Sequence, residues 1–157
     1  MAYELIQSTR TTGSVSAVTL TSISQDYIDL VGHIFIPTGS SMRSRLYFNG
    51  VTSPSPPTHW TWQNNTTLGG NVSSATVIPF SDTTKNNQAR PFQYTFQITD
   101  YTSSGNKSFL ANSASYDPTI VSSQLFDTNY SAITQIEFVS YDSTYPTDTL
   151  FELYGRK

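Results

Sequence analysis

The sequence predicts an all-β protein, an antiparallel β-sandwich, and three observations carry that expectation. Apolar residues recur with a period of two along much of the chain and hardly anywhere with a period of 3.6. Ser and Thr supply 46 of the 157 residues, against 19 Lys, Arg, Asp and Glu. Hydroxyls suit the outward face of strands, whereas the charged residues that coat surface helices are scarce here. Turn-forming Gly, Pro, Asn, Asp and Ser break the chain roughly every eight to fifteen residues, the rhythm of a sandwich or barrel of about ten strands.

The elements follow in order. Residues 2–9, 14–23 and 27–31 are three β-type runs in close succession. A sheet that starts this early is expected to tie the N-terminus into the fold. The third run extends to residue 36, with Ile28, Leu30, Ile34 and Ile36 on one face. Tyr27, Asp29, Val31, His33 and Phe35 occupy the other, so this strand is expected to be central and covered on both sides. Residues 45–48 place Leu46 and Phe48 together and run into Asn49-Gly50, a tight-turn pair tolerant of positive φ. Two stretches, 51–59 and 63–74, read as long irregular loops around His59-Trp60-Thr61-Trp62. Such loops are uncommon in compact domains and often functional.

Further strands are expected at 75–80, 91–100, 108–115, 120–126, 133–141 and 149–154. The clearest is 91–100, where Phe92, Tyr94, Phe96 and Ile98 alternate with Gln93, Thr95, Gln97 and Thr99. A helix opened by Asp117 and Pro118 is the competing reading of the segment after residue 117. The β-branched Ile120-Val121 and the Ser122-Ser123 pair favour a strand. No internal repeat is visible, which argues against a propeller or solenoid. The whole chain, 1–157, reads as one domain, able to bury roughly 70% of its unfolded surface.

Composition narrows the function. A net charge of −3 with eight Lys and Arg offers no basic surface for nucleic acid. Without cysteine there is no disulfide framework, thiolate metal site or thiol nucleophile. No apolar run approaches the ~18 residues of a membrane span, and the start lacks a secretory pattern, so synthesis in the cytoplasm is expected. Glu4, Glu137 and Glu152 all fall in predicted strands, with no sign of a carboxylate pair about 5 to 9 Å apart. Asp29 and His33 stand roughly 13 Å apart along one strand, too far to share a metal. His33 reads as a packed or hydrogen-bonded histidine. No serine elbow or phosphate loop is present. The chain is expected not to be an enzyme and to need no metal or cofactor.

Trp60 and Trp62 stand two apart on one strand face, a spacing that can form a platform for sugar rings. His59, Asn64 and Asn65 would supply hydrogen bonds. The competing and preferred reading is that the pair fills a core or a subunit interface. Tyr101, Tyr116, Tyr130, Tyr141 and Tyr145 fall near strand ends and turns, where they read as contact surface.

Ala2-Tyr3-Glu4-Leu5-Ile6, Leu20-Thr21-Ser22-Ile23 and Asp26-Tyr27-Ile28-Asp29-Leu30-Val31 open a series of short segments. Leu46-Tyr47-Phe48-Asn49-Gly50, Asn106-Lys107-Ser108, Ala132-Ile133-Thr134-Gln135-Ile136 and Phe151-Glu152-Leu153-Tyr154-Gly155 continue it. In this order they resemble a family of small virion proteins of tailed bacteriophages, over nearly the whole chain. Residues 51–76 depart from the pattern, and there a member-specific function would sit. The resemblance implies a jelly-roll-like β-sandwich serving as a building block of phage particles, with no catalytic motif. The first expectation is a capsid decoration or cement protein on the outside of the head, made in the host cytoplasm. It would contact the major capsid protein or other virion proteins, and copies of itself, a trimer being common for such modules. Trp60, Trp62 and residues 51–59 would form its interface. The alternative is a host-recognition module of a tail fibre or spike, binding surface glycan through the same tryptophans.

Overall fold

A computed structural model describes residues 2–37, 44–50, 58–64, 67–73, 78–81, 91–105, 107–114, 121–126, 131–140 and 143–157. Among these there is no helix, and the chain forms antiparallel strands throughout. In chain order they are β1 (Tyr3–Arg10), β2 (Ala17–Leu20), β3 (Asp29–Ile36) and β4 (Ser44–Phe48). Then come β5 (Thr58–Asn64), β6 (Thr67–Ser73), β7 (Ile78–Ser81) and β8 (Phe92–Thr99). The last are β9 (Lys107–Ala114), β10 (Val121–Phe126), β11 (Ile136–Ser140) and β12 (Leu150–Arg156).

Two sheets make the sandwich, ordered β1-β12-β3-β8-β9-β10 and β2-β11-β4-β7. Setting aside β5, β6, β9 and β10, the remaining eight strands take the order of a jelly roll. First, last, third and sixth lie side by side in one sheet, and second, seventh, fourth and fifth in the other. Those eight strands make a two-sheet frame, and β5–β6 and β9–β10 are additions to it. β9 and β10 extend the larger sheet beyond β8, while β5 and β6 pair only with each other. The strand reading of 120–126 holds, as β10.

Period-two patterning fixes which face is buried. On β8, Tyr94, Phe96 and Ile98 point inward, and on β3 Leu30, Ile34 and Ile36 do the same. Leu46 and Phe48 of β4 meet them from the second sheet, with Ile136 and Phe138 of β11. Aromatic rings run through the core in a chain of contacts. Phe109 stacks on Phe96, Phe96 meets Phe138, Phe138 meets Phe151, and Tyr145 stands edge-on to Phe151 at 5.0 Å.

Three expectations need correction. β3 is central, flanked by β12 and β8, but its second face is open, with Phe35 42% exposed; Ile28, expected on the inward face with Leu30, precedes the strand and is 59% exposed. The four-stranded sheet covers only one side of the larger one, so nothing among the described residues packs on the other. Residues 67–73 are not irregular but form β6, because pairing with β5 outweighs the poor strand preference of Gly69, Gly70 and Asn71. Tyr101 and Tyr145 are fully buried and offer no contact surface. The Tyr101 hydroxyl donates to Ser24 O at 2.5 Å and accepts from Tyr27 N, so it fastens the turn that enters β3. Tyr116, Tyr130, Tyr141 and the Asp117-Pro118 pair lie outside the described residues.

Side-chain clamps close the turns. Asn49 and Gly50 both take positive φ, 53° and 70°. From that conformation Asn49 Oδ1 accepts from Thr134 N and Gln135 N, and Nδ2 donates to Ala132 O. At the opposite end, Thr11 Oγ1 donates to Pro146 O and accepts from Thr149 N, latching the turn that enters β12.

Candidate interaction surface

Of the residues singled out in the sequence, His59, Trp60, Trp62 and Asn64 all fall on β5. The register sets Trp60 opposite Asn71 and Trp62 opposite Gly69. For β5, β6, β7 and β10 the description is of backbone pairing; Asn65 and residues 51–57 lie outside the described residues. β5 runs beside β10, the last strand of the larger sheet. An isolated two-stranded hairpin is marginal in water, so this hairpin depends on its neighbour. The additions to the frame thus gather at one edge of the molecule.

The second surface is the open face of the larger sheet, and cross-strand register organises it into rows. Tyr3, Arg156, Asp29, Thr99 and Ser108 make one row. Leu5, Tyr154, Val31, Gln97 and Leu110 make the next. Then come Ser8, Glu152, His33, Thr95 and Asn112, and after them Arg10, Leu150, Phe35, Gln93 and Ala114. Four large apolar side chains on this face reach solvent: Tyr3, Leu5, Phe35 and Leu110.

Between the last two rows lies a shallow depression of about 330 Å³, lined by His33, Phe35, Gln93, Leu150, Glu152 and Tyr154. Its walls come from β12, β3 and β8, adjacent in space and far apart in sequence. His33 Nδ1 lies 3.3 Å from Thr95 Oγ1 and 3.5 Å from Gln93 Nε2, and the ring stands edge-on to Tyr154 at 5.7 Å. His33 is therefore packed and hydrogen-bonded, as its position in the sequence suggested. The Tyr154 hydroxyl donates to Glu152 Oε2 at 3.0 Å, which orients the carboxylate and pushes the phenol's pKa up. The sequence reading missed this cluster. Its one signal was Phe35, a large apolar residue at an outward position between Ile34 and Ile36.

Charges on this face are few and mostly paired. Arg156 forms an ion pair with the buried Asp29 carboxylate, to which Gln97 Nε2 also donates at 3.2 Å. At the corner of the sheet Lys157 Nζ donates to Glu4 Oε1 at 2.9 Å, and Tyr27 donates to Glu4 Oε2 at 3.1 Å. Among the described residues no three His, Asp or Glu side chains are grouped as a metal site. Among the described residues no helix is long and apolar enough to cross a membrane. No family model matches the chain, and no curated protein matches it either.

Proposed function

We propose that the chain is a non-enzymatic structural protein of a bacteriophage particle, a decoration or cement protein on the outer surface of the head. The observation that carries this reading is the division of the molecule into a jelly-roll-like frame and an added edge. The segments that resemble phage virion proteins lie largely in the frame. The departing stretch, residues 51–76, contributes β5 and β6 to the edge. An edge strand and a hairpin that cannot stand alone are elements that gain from a neighbouring subunit. The partners are the major capsid protein or other virion proteins and further copies of the chain. The protein is made in the host cytoplasm and binds neither nucleic acid nor membrane.

Quantitative mass spectrometry of purified particles tests this. A copy number close to that of the major capsid protein is the expected result. A few copies per particle would move the chain to a tail or vertex, and absence from particles would overturn the reading.

A second reading is a host-recognition module of a tail fibre or spike, binding glycan through Trp60 and Trp62. Its support is the placement of both tryptophans on β5, in a hairpin outside the two main sheets. Glycan binding lost in Trp60→Ala and Trp62→Ala, with the fold intact, is its expected signature.

A further inference from the structure

We infer that the depression on β12, β3 and β8 is a binding site for a neutral pyranose unit of a polysaccharide, separate from the tryptophan hairpin. Three polar side chains of the depression keep hydrogen-bonding capacity toward solvent. Glu152 Oε2 is taken by Tyr154, but Oε1 meets no partner among the described residues. Gln93 offers its amide only to His33 Nδ1, at the limit of bonding distance, and its carbonyl oxygen meets none. His33 Nε2 likewise meets none, its contacts being at Nδ1. A carboxylate, an amide and an imidazole side chain from three adjacent strands thus line one small hollow.

The apolar part of the wall completes the pattern. Phe35 is 42% exposed and pairs across the strands with Leu150 and Gln93. A pyranose has an apolar C–H face that packs on a ring and a rim of hydroxyls that both donate and accept. Phe35 and Leu150 suit the first, and Glu152, Gln93 and His33 the second. The volume lies at the small end of ligand sites, about 300–1,000 Å³. Charge selects among sugars: Glu152 is the carboxylate of the lining and no Lys or Arg belongs to it, so acidic sugars such as uronic acids are disfavoured. The carboxylate is held in place by Tyr154, so the site is preformed.

The proposal does not depend on where in a particle the chain sits, and its test uses no particle. The full chain, labelled with nitrogen-15, is titrated to millimolar concentration with methyl β-glucopyranoside, methyl β-galactopyranoside and N-acetylglucosamine, with glucuronic acid as the anionic control. The expected result is saturable shifts of amides in 31–36, 93–97 and 150–154 with at least one neutral sugar, weaker with glucuronic acid. Phe35→Ala and Glu152→Gln each weaken that binding about tenfold, as loss of one apolar platform or one charged hydrogen bond should. Glu152→Gln preserves shape, so it keeps the test valid if Phe35→Ala does not fold. Leu110→Ala, at an exposed position on the same face but outside the hollow, leaves the binding unchanged. No response to any neutral sugar, binding indifferent to both variants, or shifts confined to 58–64 would each overturn the proposal.

Discussion

The ring of Phe96 lies directly over the Cα of Gly32, its register partner on the neighbouring strand, in the space a side chain at position 32 would fill. The ring cannot easily withdraw, because it packs at 5.8 Å from both Phe109 and Phe138. A glycine in a strand interior usually weakens it, and here the aromatic neighbour restores the packing. Gly32→Ala is therefore expected to destabilise the fold by about 1–3 kcal/mol, the range for overpacking a filled core. Urea unfolding with an unchanged m-value checks this. In a Phe96→Leu background the same change should cost less, because the shorter side chain vacates the space. Equal costs in both backgrounds would mean that the ring is not the constraint.

Asn49 does more than turn the chain. Its side chain ties the end of β4 to residues 132–135, while its own N–H donates to Gln135 O at 3.0 Å. Asn49→Ala removes the clamp and leaves a non-glycine residue at φ 53° without the local hydrogen bonds that make it tolerable. The expected loss is about 2–3 kcal/mol, the sum of a few modest hydrogen bonds. Asn49→Asp keeps the Oδ1 acceptor and loses only the donor to Ala132, so it should fall between wild type and Asn49→Ala. Thermal unfolding of the three proteins gives the order.

Much of this framework was legible from local patterning. Alternation on β8 identified Tyr94, Phe96 and Ile98 as inward, and Asn49-Gly50 was readable as a turn because few other pairs accept two positive φ values. What failed to show was anything decided across strands. Gly69, Gly70 and Asn71 look like loop residues until β5 is beside them. Asp29 and Arg156 form their ion pair only because β3 lies against β12. The depression is the extreme case: Gln93 and Glu152 look like ordinary solvent-facing positions and His33 like a packed histidine, and only the order β12-β3-β8 brings them together. Segments far apart in the sequence touch one another: Tyr27 packs on Gly155, and Asn49 grips 132–135. Residues 151–155 serve both the core, through Phe151 and Leu153, and the depression, through Glu152 and Tyr154.

The Glu4, Lys157 and Tyr27 corner makes a pH-dependent contribution of known sign. The hydrogen bond from Lys157, followed by that from Tyr27, holds the Glu4 carboxyl below its ordinary pKa of 4.5. Its contribution is complete above the ordinary carboxylate value and is lost as pH falls through the lowered one. Lys157 is raised above 10.5 by the same bond, so its contribution is complete below that value and is lost as pH rises through the raised one. Glu4 and Lys157 are both exposed, so the effect is small and weakened by salt. Lys157→Ala is expected to move the Glu4 midpoint upward, read from its side-chain carboxyl carbon by NMR. An unmoved midpoint would mean the contact is not populated in solution.

Lys107 presents the opposite case, a lysine that is 1% exposed at the start of β9. Its ammonium donates to Ser103 O at 2.8 Å and to Gly105 O at 3.3 Å, bracing the turn between β8 and β9. Burial lowers its pKa below 10.5, with Asp100 pulling weakly the other way. A base whose folded pKa is lowered carries a constant penalty while protonated in both states. As pH rises from the lowered value toward 10.5, only the unfolded chain keeps the proton, so this group makes stability climb. Lys107→Met retains the buried stem, removes the charge, and leaves two turn carbonyls that can reach water. Lys107→Ala also empties the space and is expected to cost about 2–4 kcal/mol. The methionine variant should lose much less and should lack the alkaline rise. Urea unfolding of the three proteins across the alkaline range distinguishes them, and equal costs for Met and Ala would show that the carbonyl contacts, not the stem, hold the turn.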